Sequence, residues 1–230
     1  MSTSAELLHG VPMFASLDMQ ALQHVAQAAT VRSVAAADVF FHEADPAGAF
    51  FVVQTGTVKL TQPTPEGHQV VLRLLGPGEA FGGVAAFSGG RYPVTAEAVT
   101  EVTAFEWAGP AMAALMERYP QITMNALRFV AARLHELQVR YRQLATEKVE
   151  RRVARALIRL VQEAGRKVES GVLIDLPLSR EDIAQMTGTT LYTVSRILAR
   201  WEAEGIVELG RQRMVVRKPH GLMSAADDLA

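Results

Sequence analysis

Between positions 127 and 144 the apolar residues Leu127, Val130, Leu134, Leu137, Tyr141 and Leu144 succeed one another at intervals of 3, 4, 3, 4 and 3. This a/d spacing draws a narrow apolar stripe along one side of a long helix, with Arg128, Arg133, Glu136 and Arg140 on its flanks. A stripe that narrow suits a second copy of the same helix, so a homodimer through this seam is expected. Packing of the stripe against the rest of the chain is the competing assignment. Pro110 opens the helical zone and Pro120 divides it, which predicts a short helix followed by the long one.

Ahead of Pro110 the texture differs. Leu22, Val25, Ala26 and Ala29 fall at helical spacing, and then short β-rich strings begin: VFFH, AFFVVQTG, TVKLTQP, QVVLRLLGPG, VTAEAV and VTAFEW. Turn sequences DPAG, TPEG and GPGE separate several of them, the pattern of an all-β sandwich or barrel. With 230 residues, 49% of them hydrophobic, the chain has material for one large or two modest cored domains. No run of about 18 apolar residues is present to span a bilayer. The opening MSTSAELLHGVPMF has neither a basic leader nor an apolar stretch of signal type, so a cytoplasmic location is expected.

Beyond the long helix, VERRVARALIRLVQEAG predicts an amphipathic helix with Val149, Val153, Ala156, Leu157 and Leu160 inward. A turn-rich stretch follows, and the next helix has Ser179 as N-cap, Asp182 in its first turn, and Ile183, Ala184 and Met186 inward. Gly188 supplies a turn, and Thr189 or Thr190 caps a further helix. Its buried stripe is predicted as Leu191, Val194, Leu198 and Trp201, opposite Tyr192, Ser195, Arg196, Ala199 and Arg200. Two short helices about a glycine turn make a helix-turn-helix. Gly205 then leads into IVEL-GRQR-MVVR, read as a β-hairpin wing with Arg211 and Arg213 at its tip. The final MSAADDLA is expected to fray.

Such a device fits duplex DNA. A major groove admits one helix, and Arg196 has the fork to donate to guanine O6 and N7. Ser195 lets the backbone come close, and Tyr192 brings one hydroxyl and a ring able to meet a thymine methyl. Ser179, Arg180, Thr190, Thr193, Arg211 and Arg213 are the candidate phosphate contacts. Charge agrees: residues 1–147 carry nine Lys/Arg against thirteen Asp/Glu, a net −4, whereas residues 148–230 carry fourteen against eleven, a net +3. A helical hairpin with a merely solvated polar face is the plainer alternative. The combination of caps, glycine turn, reading face and basic wing outweighs it.

Taken in this order, the chain resembles the Crp/Fnr superfamily of bacterial transcription regulators over residues 11–218. The resemblance rests on ADPAGAFFVVQTGTVKL, PGEAFGG and LSREDIAQMTGTTLYTVSRIL. It implies an α+β chain: an N-terminal β-roll (jelly-roll-like) sensor domain over 1–109, a dimerisation helix over 110–147, a winged helix-turn-helix DNA-binding domain over 148–220, and a tail over 221–230. It also implies a homodimer on near-palindromic double-stranded DNA, contact with RNA polymerase, and no role for a membrane. In that family a signal at the β-roll repositions the dimer helix. A cyclic-nucleotide-type binding module whose winged helix makes protein contacts is the rival expectation. No nucleophile–base grouping is visible, so no enzyme is expected.

The effector is where the chain departs from the family. The resemblance places the effector pocket at Gly82, Gly83, Arg91, Thr95, Leu137 and Gln138. cAMP-binding members have Gly-Glu where Gly82 and Gly83 stand, and Arg-Ser where Pro93 and Val94 stand. The acid for ribose and the guanidinium for the cyclic phosphate are thus missing, and Arg91 lies two positions early. Burying a cyclic phosphate without a cation is costly, which argues against cAMP. The effector is left unknown, and action without one stays open. Zero cysteines exclude a thiolate-held iron–sulfur cluster, whereas haem ligation through a histidine stays open. None of His9, His24, His42, His68, His135 and His220 sits in a ligating motif, and no metal site is expected. In the reading helix, Tyr192 stands where the family commonly has Glu, while Ser195 and Arg196 match the Ser-Arg pair of the Fnr-like branch.

Overall fold

A computed structural model describes residues 4–63, 69–83, 89–176, 178–210 and 213–227. The chain divides into two compact units, Met1–Pro63 with Leu72–Leu137, and Thr64–Val71 with Gln138–Ala230.

The first unit opens with helix α1 (Ser4–His9), a 3-10 turn (Pro12–Phe14) and α2 (Met19–Gln27), the last capped by Asp18 accepting from the Ala21 amide at 2.7 Å. Among the described residues eight strands follow: β1 (Thr30–Val34), β2 (Val39–Phe41), β3 (Ala49–Thr55), β4 (Val58–Pro63), β5 (Gln69–Leu75), β6 (Ala80–Phe81), β7 (Thr95–Ala98) and β8 (Val102–Ala108). They form two four-stranded sheets, ordered β1-β8-β3-β6 and β2-β7-β4-β5. Strand β3 explains why AFFVVQT reads as an unbroken apolar run. Its side chains alternate between two cores, Phe51 and Val53 facing Phe40, Phe41, Phe81 and Ala104, while Phe50 and Val52 face the helices. In the helix-side core Leu8, Phe14, Leu22 and Val25 pack on Trp107, Met112 and Ile122. The Trp107 indole also donates to the Val25 carbonyl at 2.8 Å, pinning α2 to the sheet.

Helices α3 (Gly109–Arg118) and α4 (Pro120–Thr146) meet at Pro120, as the sequence predicts. Twenty-seven residues make α4 about 40 Å long. Buried Asn125 anchors its first turns by donating to the carbonyls of Met13 (3.2 Å) and Ala15 (2.8 Å). All six residues of the heptad stripe are exposed, from 41% at Val130 to 76% at Tyr141.

One loop carries a strain that offers a stability test. Ala44 sits at φ 67, in the left-handed region, held by donation to the Tyr92 carbonyl at 2.8 Å. That conformation costs an alanine about 1–2 kcal/mol, and glycine adds about 0.4–1 kcal/mol of unfolded-chain entropy. Ala44→Gly is therefore expected to raise stability by about 0.5–1 kcal/mol, seen as a melting point higher by about 2–4 °C.

The second unit contains α5 (Val149–Ala164), β9 (Gly165–Val168), β10 (Gly171–Ile174), α6 (Arg180–Thr187), α7 (Leu191–Ala203), β11 (Val207–Gly210), β12 (Arg213–Val216) and α8 (Pro219–Asp227). Its sheet runs β11-β12-β10-β9, all antiparallel. Val153, Ala156, Leu157 and Leu160 of α5 are buried, as their spacing predicts. Two expectations are corrected. The hairpin β9–β10 extends the wing into a four-stranded sheet, where the sequence suggested only turns. The end of the chain does not fray over 223–227: α8 packs on α5 with Leu222 and Ala226 buried. Residues 228–230 lie outside the described residues.

Candidate nucleic-acid interface

The two helices α6 and α7 are set by their caps. Ser179 Oγ accepts from the Asp182 amide at 3.0 Å, and the Asp182 carboxylate accepts from the Ser179 amide at 2.9 Å, a reciprocal capping box. Gly188 stops α6 in the left-handed region at φ 60, where a Cβ would also stand 3.1 Å from Leu144 Cδ2. Thr190, rather than Thr189, caps α7, accepting from the Thr193 amide at 3.2 Å.

Burial then orients α7. Val194, Ile197, Leu198 and Trp201 are buried, so Tyr192, Arg196 and Ala199 face solvent and Ser195 sits half-buried between them. Leu191 departs from the predicted stripe, being 47% exposed beside Tyr192 at 71%. It is the first residue of the helix. The Arg196 guanidinium lies 5.8 Å from the centre of the Tyr192 ring, one helical turn away.

Arg200 is drawn off the reading face. It pairs with Glu150 of α5, which also accepts from the Trp201 indole at 3.2 Å. Hydrogen bonding to Glu150 raises the already high pKa of this guanidinium, which stays charged. Arg152 makes a second brace, donating to the carbonyls of Glu147 (2.8 Å), Thr187 (3.0 Å) and Gly188 (3.4 Å). Sequence reasoning missed both braces. Glu150 lies 50 residues from its partners, and nothing local marks it.

The candidate phosphate contacts Ser179, Arg180 and Thr190 are exposed, Thr193 is half-buried, and Arg213 is exposed at the start of β12. Arg211 lies outside the described residues. Ser179, Thr190 and Thr193 all sit at the beginnings of α6 and α7, where free backbone amides collect.

The candidate effector positions are less coherent. Gly82 has φ 77, and a Cβ there would meet the Ala49 carbonyl oxygen at 2.8 Å, so its glycine is required by the strand packing. Arg91 is engaged with the Ala44 carbonyl at 2.5 Å, and Thr95 Oγ1 accepts from the Glu43 amide at 3.0 Å. Leu137 and Gln138 are exposed on α4. A cavity of about 510 Å³ opens in the first unit between Arg32, Phe40, Asp45, Phe51, Tyr92 and Glu106. Gly82, Gly83, Arg91 and Thr95 do not line it. Among the described residues, no group of three or more His, Asp or Glu side chains is placed to hold a metal ion. His24 is stacked on Tyr119 and hydrogen-bonded to its hydroxyl. His68 lies outside the described residues. No helix among the described residues is long and apolar enough to cross a membrane.

Two sheets of strands, a long helix with an exposed apolar seam, and a capped helix pair followed by a β wing define a helix-turn-helix protein with an N-terminal β domain. Known proteins give the same pattern. The family model for the cyclic nucleotide-binding domain matches residues 31–119, and that for the Crp-like helix-turn-helix domain matches residues 151–225. The nitrogen fixation regulation protein FixK of Rhizobium meliloti is 32% identical over 175 residues, 76% of each chain. The cyclic AMP receptor protein of Thermus thermophilus is 31% identical over 190 residues, 83% of this chain and 85% of that one. The solved structure of FixK2 from Bradyrhizobium japonicum superposes with a TM-score of 0.76 at 25% identity, covering 86% of this chain and 96% of the other. The chain belongs to the Crp/Fnr family of transcription regulators and carries that family's helix-turn-helix DNA-binding domain.

Proposed function

We propose that two copies of this chain zip together along α4 and set their α7 helices into successive major grooves of a near-palindromic duplex. The division of labour follows the predicted boundaries: sensing over 1–109, dimerisation over 110–147, DNA binding over 148–220. The observation that carries this reading is the outward face of α7, where Tyr192 and Arg196 stand clear of the buried stripe with Ser195 half-buried between them. Arg196 forks a guanine. Ser179, Arg180, Thr190, Thr193, Arg211 and Arg213 hold phosphates on either side. A two-fold dimer places its half-sites about 34 Å apart, one helical turn of DNA. The work is cytoplasmic, at promoters, in contact with RNA polymerase.

The input differs from cAMP. Gly83 and the Pro93-Val94 pair offer no carboxylate and no guanidinium, and Arg91 is already engaged with a carbonyl. Selection of bound duplexes from a random pool, with and without added cAMP, tests both halves of the proposal. A two-fold symmetric motif whose enrichment ignores cAMP is the expected outcome. Absence of any motif in both arms overturns the DNA reading, and enrichment only with cAMP overturns the effector reading.

A further inference from the structure

The first turn of α7 presents two large apolar side chains to water, Leu191 at 47% and Tyr192 at 71% exposure. A helix that packs one face on a core ordinarily turns polar residues outward. Here the same turn carries these two side chains outward beside the polar Thr190 and Thr193, and the Arg196 guanidinium lies 5.8 Å from the centre of the Tyr192 ring. No hydrogen bond of the Tyr192 hydroxyl is found among the described residues.

Resting on the DNA-binding reading above, we infer that Leu191 and Tyr192 form an apolar tip that reads a thymine methyl beside the guanine read by Arg196. The thymine C5-methyl is the one apolar group a base edge shows in the major groove. An exposed ring and an exposed isobutyl group at the entering end have no stronger partner there. A cation–π contact ties the two readings together. Within reach of the Tyr192 ring at 5.8 Å, the Arg196 guanidinium loses less freedom when its fork closes on guanine. Preference for thymine and preference for guanine are therefore coupled through one side chain.

The test uses the full chain and its selected duplex, with deoxyuridine replacing thymidine singly at each thymine of both half-sites. This removes a methyl and leaves every hydrogen-bonding group in place. At one position, adjacent to the guanine, the exchange is expected to weaken binding about fifteenfold when made in both half-sites, at about fourfold for each methyl removed from contact. Tyr192→Phe should keep that discrimination. Tyr192→Ala should abolish it and also reduce the penalty for replacing the guanine, while leaving the salt slope of binding unchanged. Leu191→Ala should reduce the thymine preference in part. Both side chains are exposed, so these variants keep the fold, which a thermal melt checks. Equal binding of thymine and uracil duplexes at every position, with the site still preferred over scrambled DNA, overturns the inference and spares the regulator reading. Loss of discrimination in Tyr192→Phe also overturns it, because the hydroxyl would then be the reader. No preference among duplexes of any sequence removes the DNA-binding proposal itself.

Discussion

Glutamate in place of both Leu134 and Leu137 is expected to turn the protein from a dimer into a folded monomer with little hold on its operator. Both residues lie on the α4 stripe at 57% and 60% exposure, so a single chain leaves more than half of each uncovered. In the proposed dimer a second helix covers that surface, and each residue is worth up to about 1.5–3 kcal/mol if fully covered. In a two-fold pair the double substitution removes four leucines and places four carboxylates along one seam. A shift in the dimerisation constant of at least a thousandfold follows from about 4 kcal/mol, well below the sum of the four. Sedimentation should report the mass of one chain with an unchanged melting profile for the first unit. Operator affinity should fall at least a hundredfold, because one reading helix no longer brings the other. An unchanged dimer would place the interface elsewhere.

Arg196→Ala is expected to erase most of the choice among sequences without erasing attachment to DNA. A bidentate arginine–guanine contact discriminates by about 1–3 kcal/mol, and a dimer makes it twice. Matched sites should lose about thirtyfold or more in affinity while scrambled duplexes lose little. Arg213→Ala provides the contrast. It stands at the wing, apart from the reading face, so it should weaken matched and scrambled duplexes alike and lower the salt slope by about 1 for each arginine removed. Competition binding at several salt concentrations measures both quantities in one series. Identical behaviour of the two variants would deny Arg196 a base-reading role.

The parts of the chain that were legible in advance are those whose signals are local and periodic. The break at Pro120, the caps at Ser179 and Thr190 and the turn at Gly188 each depend on a few adjacent residues, and each stands where predicted. The same holds for the stripe of α5. Less was visible where short or polar segments take their structure from distant neighbours. GRKV and GVLI carry too little pattern to announce a hairpin, and they become strands because β10 pairs with β12 some forty residues on. The terminal PHGLMSAAD is helical because α5 offers a surface for Leu222 and Ala226. Leu191 misled as well. Spacing assigns it to the stripe, but it is the first residue of the helix and is exposed. At the candidate site, Arg196 and Tyr192 could be named from sequence, whereas the cation–π contact between them and the diversion of Arg200 to Glu150 depend on how the helices pack.

Arg152 has a mechanical consequence. One guanidinium grips the main chain at Glu147, where the long helix has just ended, and at Thr187 and Gly188, the bend immediately before α7. Hydrogen bonds to backbone join these points, beside the packing of α5 on α6. In the proposed regulator a small rotation near the base of the rod would then be expected to re-aim Tyr192 and Arg196 together, as a knuckle turns a fingertip.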